Sequence, residues 1–191
     1  MTACRILPPY AAAGIAGTKL EILMSAMIKR PPLPSAPGLL CKEHSHSAWV
    51  TNDLDRALEI FARRYGVGKC TFIEGEGPEG GRIKVAFAWA GGQVLEIISA
   101  SGPGFEFYNE LLPDNEFAIR FHHLGFVIHE EAEWQQLEKE LKDGGWPIAF
   151  STLTGEFIDA YYIEAPELGH YLEYVRPFQA GDDFYNSVPV N

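Results

Sequence analysis

The feature that most restricts how this chain can fold is an internal repeat. His46, Gly92 and Glu96 recur 77 positions later as His123, Gly169 and Glu173, and Trp49, Val50 and Leu95 meet Phe126, Val127 and Leu172 at the same offset. A few short strands and one helix can hardly bury their own apolar faces, so a duplicated unit of this size packs module against module. The repeat therefore predicts two similar halves related by a pseudo-twofold axis.

The local patterns inside each copy agree. Residues 44–51 read as a strand, and Asn52 and Asp53 follow as a helix-capping pair. Over 54–65 the apolar side chains Leu54, Ala57, Leu58, Phe61 and Tyr65 recur at spacings of three and four, which is one helical face. Residues 69–73, 82–90 and 93–99 read as strands, separated by the glycine-rich stretch 74–81 and by Gly91 and Gly92. Beyond an aromatic-rich connector the order returns: strand 121–128, helix 131–142, then strands 147–151, 157–164 and 170–176. The expected fold class is α+β, with βαβββ modules over 44–101 and 118–176, a connector over 102–117 and a tail over 177–191.

Composition bounds the partners. The 191 residues are 47% apolar and 13% aromatic, enough for one folded domain with a real core. Fifteen basic against 26 acidic side chains give a formal charge of -11, which repels phosphate backbones and anionic membranes and leaves a small molecule as the expected partner. Cys4, Cys41 and Cys70 are odd in number and widely spaced, so neither a disulfide framework nor a thiolate zinc site is indicated, and a reducing cytoplasm is expected. Residues 1–43 read as an extension, disordered or an arm on a partner subunit: Lys19 and Glu21 interrupt its apolar runs, and 30–40 is a proline-rich linker. Met24 and Met27 are alternative starts. The modules are expected to pair within one chain or by exchange in a homodimer.

The duplicated polar positions carry the chemistry. His46, Glu96, His123 and Glu173 form a set of two imidazoles and two carboxylates around the pseudo-twofold, suited to one divalent ion such as Zn, Ni, Co, Mn or Fe with positions left for water or substrate. Strand parity puts Glu96 among Val94 and Ile98, and Glu173 among Tyr171 and Val175, where an unpaired charge is costly. His44, two residues from His46, shares its face in a regular strand and competes with it; the 77-residue register favours His46. His122 is assigned to the face opposite His123, His170 to the face opposite Glu173, and His129 to a solvated turn.

Four segments together resemble the vicinal oxygen chelate superfamily, the glyoxalase, bleomycin-resistance and extradiol-dioxygenase group. HSAWVTNDLDRALEIF resembles its opening His segment, KVAFAWAGGQVLEII the strands ending in its Glu ligand, HHLGFVI the start of its second module, and EAPELGHYLEYV its closing motif. Ala165 stands where that motif has Asp, and one extra residue separates Pro166 from Gly169. The resemblance spans 44–176 and implies a curved, incompletely closed mixed β-sheet barrel in which substrate oxygens chelate a metal held by His46, Glu96, His123 and Glu173. The separation of Glu96 from His123 is closest in layout to methylmalonyl-CoA epimerase-like and glyoxalase-like members, whose extra acid is matched nearest by Glu79. The implied activity is isomerase, epimerase or lyase chemistry through a metal-stabilised enolate, with Glu96, Glu173 or Glu79 as the base. Tyr161 and Asp159, with Trp89, Phe87 or Lys84, are the candidate pocket residues. The alternatives are an Fe(II) ring-cleaving dioxygenase using His46, His123 and Glu173, and a non-catalytic binding protein.

Overall fold

The computed structural model describes residues 38–77 and 79–191. The alternative starts Met24 and Met27, most of the proline-rich linker and most of the N-terminal extension lie outside the described residues.

The first module runs β1 (Glu43–Thr51), α1 (Leu54–Tyr65), β2 (Thr71–Glu76), β3 (Arg82–Ala90) and β4 (Gln93–Ser101). Helix α1 starts where Asp53 accepts the Arg56 N–H, the capping role its sequence position predicts. A short helix, α2 (Glu106–Asn109), sits in the connector. The second module is β5 (Ile119–Val127), α3 (Glu131–Gly144), β6 (Ile148–Leu153), β7 (Ile158–Ala165) and β8 (His170–Pro177). Two differences from the sequence reading concern this set. Strand β2 continues through Glu74 to Glu76, because those residues pair with Lys84 to Arg82 despite Gly75. The segment set aside as a tail contains a further helix, α4 (Gln179–Ser187).

All eight strands form one mixed sheet in the order β2-β3-β4-β1-β5-β8-β7-β6, curled into a half-barrel with β2 and β6 at its ends. The modules meet where β1 runs antiparallel to β5, and each pairs in parallel with the last strand of its own module, β1 with β4 and β5 with β8. This is the paired βαβββ architecture that the repeat predicts.

Helices α1 and α3 cover the outer face. Trp134, Leu137 and Leu141 of α3 pack on Phe126, Ile163 and Tyr174, while Leu54, Ala57 and Phe61 of α1 pack on Ala86, Ala88 and Ile97. Burying each large apolar side chain is worth about 1.5–3 kcal/mol, so these two interfaces hold the sheet in its curve. A third apolar cluster, with Val85, Phe87, Ile98, Ala160, Tyr162 and Val175, fills the inner face. Helix α4 folds back over it: Phe184 meets Phe87 with ring centroids 5.0 Å apart, and the chain end is tied down by Trp89 N–H to Pro189 O at 2.9 Å and by Asn191 Oδ1 accepting the Gly68 and Lys69 N–H groups. The last residues before β1 are docked as well. The Tyr174 hydroxyl donates to Leu39 O at 2.9 Å, and Lys42 pairs with Glu140 of α3 at 3.7 Å. Among the described residues no helix is long and apolar enough to cross a membrane.

Candidate metal centre and cavity

Hairpin register sets the two carboxylates. Gly91 and Gly92, both at positive φ, make the two-residue turn that pairs Ala90 with Gln93 and so lays Glu96 opposite Phe87. In the second module the loop between β7 and β8 is two residues longer, pairing Ala165 with His170. A lengthening by two preserves the alternation of a strand, so Glu173 still faces inward, opposite Tyr162. The turn absorbs the departure from the family motif at Ala165: Gly169 N–H donates to the carbonyls of Ala165 and Pro166.

Two β-bulges set the imidazoles. In the β1/β5 ladder, His44 pairs with Phe126 and His46 with Gly125, which makes Ser45 an extra residue in β1; Ala48 pairs with His123 and Trp49 with Phe121, which makes His122 the extra residue in β5. Each bulge breaks the two-residue alternation. One consequence separates His44 from His46: His44 lies edge-on to Phe126 on the outer side, and His46 is the one that joins the cluster. The other consequence corrects the sequence assignment of His122. Instead of facing away from His123, it is fully buried beside it, with the two Nδ1 atoms 2.8 Å apart. His170 packs against Phe121 and His129 is exposed near Asp182, as their positions suggested.

The four repeated residues converge. One ligand atom from each of His46, Glu96, His123 and Glu173 lies within 4.8 Å of all the others, and all four side chains are buried. Glu173 Oε2 is 2.6 Å from His46 Nε2 and 2.9 Å from His123 Nε2; Glu96 stands 3.8 Å from both rings. Burial penalises the His46 cation, but the Glu96 and Glu173 carboxylates outweigh it and raise its pKa to about 9. Burial and repulsion from Glu173 push Glu96 up to about 7 against the pull of His46, whereas the two imidazoles outweigh burial and hold Glu173 well below the usual carboxylate range. Burial lowers His123.

Two further observations fit a bound cation. His123 Nε2 is buried and, although close to Glu173, has no aligned hydrogen-bond partner among the described residues. Gly125 lies under His46, where a Cβ would sit 1.9 Å from ring atoms Cε1 and Nε2, so only glycine lets the imidazole into the centre. A dense set of nitrogen and carboxylate donors with an orphaned ring nitrogen suits a borderline divalent ion.

A cavity of about 230 Å³ opens on this centre, with Glu96 and Glu173 on its wall among Phe87, Tyr108, Thr152, Tyr162 and Tyr185. The Tyr108 hydroxyl donates to the Tyr162 hydroxyl at 3.0 Å. Of the pocket candidates, Phe87 lines this cavity and Trp89 does not: its indole N–H donates to Tyr185 O beneath α4. Tyr161 and Asp159 face the outer side. Tyr161 stacks on Trp134 and donates to Glu138, and Asp159 pairs with Arg176 at 2.7 Å. Lys84 pairs with Glu74 at the exposed sheet edge, and Glu79 is exposed in the turn before β3, outside both the cavity wall and the ligand cluster. The residues missed by the sequence reading are Tyr108, Tyr162, Tyr185, Ser45, His122 and Gly125. The register held a signal for two of them, since Ser45 and His122 stand 77 apart.

The half-barrel of paired βαβββ modules is the glyoxalase-like fold of the vicinal oxygen chelate proteins. Solved structures with this fold include a hypothetical protein from Bacillus halodurans C-125, similar at 12% identity with a TM-score of 0.52 over 72% of this chain and 96% of its own. A variant of Streptomyces coelicolor methylmalonyl-CoA epimerase in complex with 2-nitronate-propionyl-CoA is 14% identical, with a TM-score of 0.51 over 73% and 96%. A methylmalonyl-CoA epimerase in complex with methylmalonyl-CoA and ammonium is 14% identical, with a TM-score of 0.50 over the same shares. No protein-family model and no curated protein matches the sequence.

Proposed function

We propose that this protein is a cation-dependent isomerase or epimerase that removes a proton from carbon beside a carbonyl of a small oxygenated substrate. The observation that carries the reading is the pair of buried carboxylates on the wall of one cavity, backed by two imidazoles and held in unlike surroundings. The epimerases that share the fold support it. His46, Glu96, His123 and Glu173 would hold one divalent ion, which supplies Lewis acidity toward a substrate oxygen that becomes anionic when the neighbouring C–H bond breaks.

The chain's own groups divide the remaining work. Glu173, in contact with both imidazoles, is the fixed anion of the centre. Glu96 stands off both rings and faces the cavity, so of the four it is the one that would swing off the ion to accept and return a proton. The Tyr162 hydroxyl accepts from Tyr108 and turns its own O–H toward Glu173, so it helps hold that carboxylate in place on the cavity wall. At about 230 Å³ the cavity is below the ~300 Å³ of an ordinary ligand site, and among the described residues no cationic side chain lines it. A small neutral carbonyl compound, or the acyl end of a larger thioester, fits that volume better than a free multivalent anion.

The test is proton exchange. With Zn(II) or Ni(II) supplied, 2-oxo acids, hemithioacetals and acyl thioesters are incubated in deuterated solvent while dissolved oxygen is monitored. Deuterium incorporation without oxygen uptake supports the reading. Oxygen-dependent cleavage of catechols that demands Fe(II), or exchange that survives Glu96→Ala, overturns it.

A further inference from the structure

The two bulge residues do the same job in unlike ways. Ser45 Oγ lies 2.9 Å from His46 Nδ1, and His122 Nδ1 lies 2.8 Å from His123 Nδ1; Ser45 and His122 are themselves repeat partners, 77 positions apart. Each ligand imidazole is therefore held from behind by the residue that precedes it. A hydroxyl can donate or accept, so Ser45 leaves the His46 tautomer open. An imidazole in a defined setting cannot do this.

We propose that His122 is a positioning residue that fixes His123 as the Nδ1–H tautomer, leaving the Nε2 lone pair aimed into the four-residue centre. The inference rests on the cation site proposed above. Its starting point is a backbone carbonyl. His122 Nε2 faces Phe107 O at 3.3 Å, and a carbonyl only accepts, so the proton of neutral His122 sits on Nε2. His122 Nδ1 is then an acceptor, and the hydrogen bond at 2.8 Å requires His123 to donate from its own Nδ1. His123 Nε2 consequently carries no proton. The buried Nε2 has no aligned hydrogen bond among the described residues, as that tautomer requires, and its 2.9 Å approach to Glu173 Oε2 sets two lone-pair atoms against each other, which a cation between them would relieve. The opposite tautomer of His122 would set an unprotonated Nε2 against the Phe107 carbonyl oxygen and leave a proton on His123 Nε2 with no aligned acceptor.

The relay is rigid. The His122 ring is fully buried between Tyr108 and Tyr171, with centroids 5.0 and 4.9 Å away, and neither ring lets it rotate without displacing an aromatic neighbour. Phe107 and Tyr108 belong to α2, so the connector between the modules reaches through His122 to the metal centre. Ligating histidines commonly pass their second N–H to a carboxylate or carbonyl, and losing such a partner weakens metal binding about 10–100-fold. Here an imidazole stands in that place.

The experiment uses the full-length chain freed of metal by a chelator and labelled with 15N. Long-range proton-nitrogen correlation reads each imidazole tautomer directly. The expected spectrum has His122 protonated at Nε2 and His123 at Nδ1; a proton on His123 Nε2 overturns the proposal whether or not the protein binds metal. Zn(II) affinity is then measured by chelator competition. His122→Phe, which keeps the ring shape without an acceptor, should weaken binding about 10–100-fold. His122→Asn places an acceptor near the former Nδ1 and should recover most of the loss, while Ser45→Ala should cost clearly less than His122→Phe. Wild-type affinity in His122→Phe, or equal losses in His122→Phe and His122→Asn, rejects a positioning role. Failure of the wild type to bind Zn(II) rejects the cation site itself, and the tautomers still decide the relay.

Discussion

The two modules lay a His and a Glu at matched points of one curled sheet, and the matched groups end in different states. Glu173 touches both imidazoles, whereas Glu96, its repeat partner, stands 3.8 Å from each. The small residues beneath the rings differ as well. Ala48 pairs with His123 and keeps its Cβ; Gly125, its counterpart 77 positions later, pairs with His46 and has no room for one. Duplication supplies a symmetric backbone, and small displacements on it put the two carboxylates in unlike surroundings. One carboxylate becomes a fixed anion and the other a group that can change protonation near neutrality.

The largest effect is expected where the copies differ in space. Gly125→Ala should expel the His46 ring, lower Zn(II) affinity by roughly 100-fold or more and destabilise the fold by about 2–4 kcal/mol. The reciprocal change, Ala48→Gly, should cost only about 1 kcal/mol in denaturant melts and leave Zn(II) binding nearly intact. Equal behaviour of the two variants would show that the packing under the rings is equivalent after all.

Next come the carboxylates. Glu173→Gln should remove most cation affinity, since its oxygen is shared between both rings. Glu96→Gln should retain more of that affinity and lose about 10²–10⁴-fold in proton exchange, the range of a missing general base. Competition titration and deuterium exchange on both variants decide the matter. A larger binding loss in Glu96→Gln would reverse the assignment.

The smallest effect lies on the outer face. Asp159 is buried against Arg176, and its counterpart in the first module is Lys84, which lies opposite Ser99 as Asp159 lies opposite Arg176 and pairs with Glu74 at the sheet edge. Burial would raise the Asp159 carboxyl, but hydrogen bonds from Arg176 and the Gly155 N–H outweigh it and hold its pKa below the ordinary 3.8. A depressed acid contributes stability that is complete above its unfolded pKa and is lost as pH falls through the folded one. Asp159→Asn should therefore lower stability by about 1–3 kcal/mol at neutral pH, with the gap to wild type closing below about pH 4. Lys84→Ala should leave the melting temperature nearly unchanged. Thermal melts from pH 3 to 7 measure both.

Most of the architecture was written in local patterns. The spacing of Leu54, Ala57 and Phe61 placed α1, alternation placed the strands, and the 77-residue offset paired the modules and picked out His46, Glu96, His123 and Glu173. The offset also held more than was drawn from it. Because 77 is odd, inward positions such as Phe87 on β3 correspond to even-numbered residues on β7, which points to Tyr162 rather than to Tyr161 or Asp159. What tertiary structure alone decided begins with the bulges at Ser45 and His122. Alternation is a property of one strand, but a bulge arises from the pairing of two, so the separation of His44 from His46 and the pairing of His122 with His123 become visible only in the β1/β5 ladder. The same holds for the cavity, whose wall joins Tyr108 from the connector and Tyr185 from the last helix to strands of both modules. No periodicity in a single segment encodes where such distant segments meet; the closing of the sheet and the return of α4 across it do.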